Sequence, residues 1–289
     1  MLQAVDYRNS WIVAVDRAAR PWPLWAALPY GVAVFALAFF GTTALFPALT
    51  DMGPQPWHGP AVTVFFFGVL LVGGLIATLL IERRGEQPQT NALRRLALGV
   101  GVGAAAFLLT VAVCAALGVV SLQAAAQAGA AGLALSAGLT LFGALAEEVF
   151  FRGWLQPLLS ARLGPWVGVA ITAVLFSAAH AVGQPLSPLA FVNGVLAGAV
   201  FGVLALRTGS LVAPVAAHFT WNWLEKSVLG LFPNPGLDSY GALFDLELTG
   251  AGLWTGGAAA LNGALPTTLG LGLACAALIL PLLPGVGRR

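Results

Sequence analysis

Charge is scarce in this chain: of its 289 residues only 8% are Asp, Glu, Lys or Arg, where a soluble domain carries about 25%. That shortage excludes an ordinary water-facing surface. The formal net charge is only +2, and no run of cations resembles a phosphate-tracking patch, which sets nucleic-acid binding aside. Cysteine is limited to Cys114 and Cys275, each in the middle of an apolar run and neither at disulfide-framework or metal-ligand spacing. Both read as small core hydrophobes. Histidine is confined to His58, His180 and His218, so imidazole chemistry has few places to come from.

What fills the chain instead is apolar: 59% of residues are hydrophobic. A helix needs about 20 apolar residues to cross roughly 30 Å of hydrocarbon, and about eight spans meet that measure. They fall near 24–46, 61–81, 96–120, 137–160, 166–183, 188–206, 209–230 and 264–283. The expected fold class is all-α, a polytopic membrane helix bundle, with residues 1–289 forming one membrane-embedded domain. Gly and Ala richness in the spans reflects close helix packing. The long connection 231–263 contains Phe232-Pro-Asn-Pro-Gly236 with Asp238, Asp245 and Glu247, and is expected to be a loop with surface-lying segments. At the start, Trp11 to Val15 is too short for a cleavable signal and is bracketed by Asp6, Arg8, Asp16 and Arg17. Residues 1–21 therefore read as an amphipathic segment on the membrane surface.

Cations test the topology, because cytoplasmic loops are enriched in Lys and Arg. Arg8, Arg17 and Arg20 precede the first span, Arg83, Arg84, Arg94 and Arg95 separate the second from the third, Arg162 follows the fourth, Arg207 the sixth, and Arg288 and Arg289 the last. All fall on one side. The opposite loops carry essentially no cation except Lys226 at the end of the seventh span, so both termini are expected in the cytoplasm and 231–263 outside it. An integral protein of a prokaryotic plasma membrane fits this Ala/Gly/Leu-heavy, short-looped chain.

Three polar clusters interrupt the apolar spans: Glu147-Glu148-x-x-x-Arg152, Phe176-x-x-x-His180 and His218-x-x-x-Asn222. A charge near the bilayer centre costs about 2.5–3.5 kcal/mol on insertion scales, so two adjacent acids there imply a use for them. Residues four apart share a helix face, which lets Glu148 pair with Arg152, while Glu147 points about 100° away to different partners. Cooperating residues must also lie at similar depth. If the fourth span stopped at Arg152, Glu147 would lie only about 7 Å from the cytoplasmic boundary, with His180 some 22 Å above it. Extending the span to about Leu159 raises Glu147 to roughly 18 Å, with His218 around 14 Å, and lets one cavity collect all three.

Through these residues the chain resembles the CAAX prenyl protease and bacteriocin-processing (Abi) intramembrane endopeptidases, whose hallmark is EExxxR, then FxxxH, then HxxxN or HxxxD on successive membrane helices. The continuation Phe151-Arg152-Gly153-x-Leu155 is similar too. The motifs span 147–222, and the eight-span layout is also like the family's. The resemblance implies a membrane-embedded peptidase acting on a peptide or protein substrate in or at the membrane, with a cavity that in better understood relatives opens toward the cytoplasm. It implies Glu147 as general base, His180 as a second group on the attacking water, and His218 with Asn222 as oxyanion donors. Glu148 and Arg152 form the supporting pair.

Alternatives stand beside this reading. Glu147, His180 and His218 are the candidate ligands if zinc is present, although the chain has no HExxH helix and a metal-free glutamate mechanism is favoured. A non-catalytic immunity or scaffold protein, or a transporter using the same acids as a proton or cation relay, would also place charge in the membrane. Phe176 and Trp221 are cavity candidates that equally suit packing, as does Trp223. Glu225 and Lys226 are expected to snorkel to water at the end of their span, and His58 to be a solvated loop residue. Gly143 and Ala144 leave room either for substrate backbone or for a neighbouring helix.

Overall fold

The computed structural model describes residues 22–53, 57–79, 91–123, 129–182, 187–231 and 242–282; the expected surface segment 1–21 lies outside these. Helices account for nearly all of it. In chain order they are α1 (Leu24–Thr50), α2 (His58–Leu79), α3 (Ala92–Ala116), α4 (Ala130–Glu148), α5 (Gln156–Leu163), α6 (Pro165–His180), α7 (Pro188–Thr208), α8 (Val212–Trp223), the short α9 (Gly252–Thr255) and α10 (Leu265–Ile279). Two π-helical stretches continue helices rather than ending them: Val149–Leu155 joins α4 to α5, and Leu224–Val228 extends α8.

Among the described residues six helical rods are long and apolar enough to cross a membrane, including the continuous 34-residue rod Ala130–Leu163. The apolar α6 is shorter, and α8 with its π-helical extension supplies the eighth rod of the expected bundle. The chain is thus a polytopic helix bundle. Its surface inverts the soluble pattern: Trp25, Val32, Leu37 and Phe40 project outward from α1, whereas Glu148, Arg152 and Gln156 are wholly buried. That is the arrangement a hydrocarbon solvent selects.

Local sequence explains where the rods turn. Gly164 has φ +92°, a conformation costly for other residues, and Pro165 follows at the first position of α6, so chain direction reverses within one residue of α5. Ser187 caps α7 by accepting from the Ala190 amide at 3.3 Å, again with Pro next. Close packing rests on missing side chains: a Cβ on Gly99 or Gly103 of α3 would come within 2.2 or 2.4 Å of the Ala213 or Ala217 carbonyl oxygen of α8. This small-xxx-small stripe lets α8 lie directly on α3, and it fixes the backbone immediately before His218.

Two expectations are corrected, one for His58 and one for Glu225 with Lys226. The bundle is all-α apart from one minimal pairing: Val120–Leu122 and Leu246–Leu248 run antiparallel, and the described part of the connection 231–263 contributes that strand, α9 and a 3-10 turn at Gly257–Gly263. Three-residue strands are too short to show a period in sequence. His58 is not solvated; it opens α2, is buried, and its ring lies edge-on to Trp57 with centroids 4.4 Å apart. Glu225 and Lys226 do not snorkel, because the π-helical turn they occupy is packed inside the bundle and both are buried.

Candidate active site

Glu147 and Glu148 end α4, and the π-helical stretch that follows carries Arg152. A widened helix at this point is a local feature often found at functional sites. Arg152 Nη1 donates to Glu148 Oε1 at 2.9 Å and Nη2 to the Gly198 carbonyl of α7 at 3.0 Å, all within a fully buried setting. Gly198 is small of necessity, since a Cβ there would stand 2.8 Å from Ala173 Cα. The guanidinium also lies 4.4 Å from the Phe176 ring centre and 5.5 Å from that of Phe201. Removing this cation from water is compensated by one full charge and two π faces.

The same Glu148 oxygen holds His218, whose Nδ1 is 3.0 Å away. With Nδ1–H donated to the carboxylate, His218 turns Nε2 toward Glu147, 3.8 Å from its Oε2. Phe201 stacks on the imidazole at 4.7 Å and 15° between planes. His180 is fixed by a parallel device: Nδ1–H donates to the Phe176 carbonyl one turn back at 2.8 Å, and Nε2 lies 3.7 Å from Glu147 Oε2. Both rings therefore present the same atom to one carboxylate oxygen, which makes no hydrogen bond within the protein among the described residues. Such a tautomer assignment follows from the carbonyl and carboxylate partners, which can only accept.

Exposure is graded across the set. The His180 side chain is 45% exposed, that of Glu147 12%, that of His218 7%, and those of Glu148 and Arg152 0%. A cavity of about 160 Å³, large enough for ordered water, lies against His180, His218, Phe176, Trp221 and Asn222. Its other walls come from the start of α7 and the 3-10 turn before α10, where Asn193 donates to the carbonyls of Asn262 and Ala264 and accepts from Thr268.

All seven residues of the three motifs thus gather at one place. Phe176 packs and also contacts Arg152, His180 and His218; Trp221 lines the cavity and lies edge-on to Phe107. Trp223 lies beyond the cavity walls, its ring parallel to Phe219. Gly143 makes way for a neighbouring helix, since its Cβ would meet the Phe67 ring at 3.0 Å. Two participants had no signal in sequence. Gly198 acts through its carbonyl, and Asn193 stood outside any motif, although an amide inside a span is itself a polar interruption. Among the described residues no group of three or more His, Cys, Asp or Glu side chains is arranged to hold a metal ion.

Residues 129–224, which contain this whole constellation, match the family of type II CAAX prenyl endopeptidase Rce1-like proteins. A 97-residue stretch is 37% identical to an uncharacterized 24.3 kDa protein of Escherichia coli, covering 32% of this chain and 42% of that relative. The match therefore spans about two fifths of the relative's length. No solved structure matches.

Proposed function

We propose, from the premise that residues 129–224 are of Rce1-like type, that this integral membrane protein is an endopeptidase hydrolysing a peptide bond of a membrane-associated substrate. One observation carries the reading: a carboxylate oxygen of Glu147 lies 3.7 and 3.8 Å from the Nε2 atoms of two imidazoles beside a cavity. Contacts of that length between polar groups suit an intervening water.

In the proposed reaction Glu147 takes a proton from that water while His180 Nε2 accepts its second hydrogen and orients it. The oxygen attacks the scissile carbonyl carbon, and the carbonyl π electrons move onto its oxygen. His218, in its doubly protonated form, and the Asn222 amide donate to this oxyanion. Collapse breaks the C–N bond, and the proton on Glu147 passes to the leaving amine. Glu148 and Arg152 are positioning residues: their ion pair holds the His218 ring so that Nε2 faces the reacting atoms. Glu147, His180 and His218 are the residues that would hold zinc in the alternative reading, and no step is routed through a metal.

The test is a proteomic comparison of membrane peptides from cells carrying active protein and the Glu147→Ala variant, followed by cleavage of the peptides that differ with purified protein in detergent. Cleavage by the parent that Glu147→Ala, His180→Ala and His218→Ala each abolish supports the assignment. Retained cleavage in any of the three overturns that residue's role. Undiminished turnover after exhaustive chelation supports the glutamate route, and loss restored by zinc replaces it.

A further inference from the structure

The cavity has a direction, and its direction is legible from burial along α7. From Val200 to Leu206 every residue of that helix is buried, 5% exposed or less for those that are apolar. From Ser187 to Ala197 the cavity-lining positions Ser187, Ala190, Phe191, Gly194 and Ala197 are only half-buried, and of the lining residues there Asn193 alone is buried. The rod α4 to α5 repeats the pattern: most of residues 130–142 are exposed or half-buried, whereas 146–160 is buried throughout. Phe201 closes that end of the cavity, and Arg152 and Gln156, the last tied to Gly202 O at 3.0 Å, are buried without lining it. The mouth lies at the opposite end, among Ala181 after α6, Ser187 before α7, and Ala258, Ala259 and Asn262 before α10.

Arginines mark the closed end of the bundle. Arg94 and Arg95 begin α3, Arg162 ends α5 and Arg207 ends α7, while α6, α7 and α10 all bring their other ends to the mouth. Cations retained on one side mark the cytoplasmic face. Among the described residues no Lys or Arg lines the cavity; its polar side chains there are hydroxyls, amides and the histidines.

We propose that the site opens on the non-cytoplasmic side of the membrane and takes a membrane-anchored peptide whose scissile segment is extended, uncharged and presented on that face. The peptidase half of this statement rests on the proposed function; the direction does not. An exported peptide tethered by a lipid or a membrane helix has this chemistry. A cytoplasmic peptide tail with a free carboxylate does not, for the described wall residues offer that anion no Lys or Arg, and Arg152 is fully buried.

Two measurements separate the halves. In full-length protein with Cys114→Ala and Cys275→Ala, single replacements Ala258→Cys at the mouth and Leu163→Cys at the arginine end are exposed to a membrane-impermeant maleimide in spheroplasts. Labelling of Ala258→Cys from outside, with Leu163→Cys labelled only after permeabilisation, is expected; the reverse pattern overturns the direction. Sealed right-side-out and inside-out vesicles containing the parent protein then receive an acyl-anchored peptide of uncharged residues drawn from the proteomic set. Cleavage is expected right-side-out and should be lost inside-out until detergent opens the vesicles. Cleavage confined to inside-out vesicles overturns the substrate class. No cleavage in vesicles or detergent, with the labelling as expected, sinks the peptidase reading while the direction stands.

Discussion

Glu147 and Glu148 are neighbours in sequence and opposites in environment. Glu148 is sealed, and one of its oxygens takes hydrogen bonds from both Arg152 and His218. Glu147 lies beside the two cavity-lining histidines, with Oε2 near both Nε2 atoms and without a hydrogen bond among the described residues. The 100° turn between consecutive helical residues produces this division. It teaches that the site has two layers: a closed one in which Glu148 and Arg152 pair and set geometry, and one beside the cavity, the wet layer, in which the Glu147 carboxylate has imidazoles and no cation pair around it. Substitutions that remove charge should therefore act on rate in one layer and on stability in the other.

The largest expected effect is kinetic. Glu147→Gln keeps shape and removes the proposed proton acceptor, so cleavage should fall by roughly 10²–10⁴, the usual contribution of a general base, with thermal unfolding in detergent little changed. If Glu147→Gln instead melts the protein and leaves the residual rate high, the two layers have been assigned the wrong way round.

Next is Arg152→Met, which leaves Glu148 buried without its cation and should cost about 3–5 kcal/mol of stability. Adding Glu148→Gln removes the uncompensated charge and should return part of that loss, a coupling that a double-mutant cycle in thermal or denaturant unfolding reads directly. Independent, additive losses would show that the ion pair does not organise the closed layer.

Much of this division was legible beforehand because motif spacing and helix geometry are tied. The extension of the fourth span past Arg152 followed from requiring Glu147 and His180 at one depth, and the rod does run unbroken to Leu163. The pairing of residues 148 and 152 followed from a four-residue spacing. What could not be read was anything that depends on tertiary neighbours. The π-helical stretches 149–155 and 224–228 leave no compositional mark. Glu225 looked like a residue at a watery helix end, yet α8 continues through it into the packed interior and buries it fully. His58 failed for the same reason, since burial at the start of α2 depends on what packs over it. The strand pairing of residues 120–122 with 246–248 joins segments far apart in the chain, and no local pattern announces such a partner.

The smallest effect expected is also the one that tests how the layers are joined. Phe201 stacks on His218 and borders the Arg152 guanidinium, so it touches the wet layer through one face and the closed layer through its surroundings. Phe201→Leu conserves apolar burial but removes a ring contact of about 0.5–1.5 kcal/mol. If the stack merely packs, unfolding shifts by that amount and kinetics stay as they were. If it helps hold the His218 ring at the angle that Glu148 sets, kcat falls while KM holds, because an oxyanion donor acts on the transition state and not on substrate binding. The same substitution in an Arg152→Met background should then do little more to the rate, since a ring already released by loss of the ion pair gains nothing further from being unstacked.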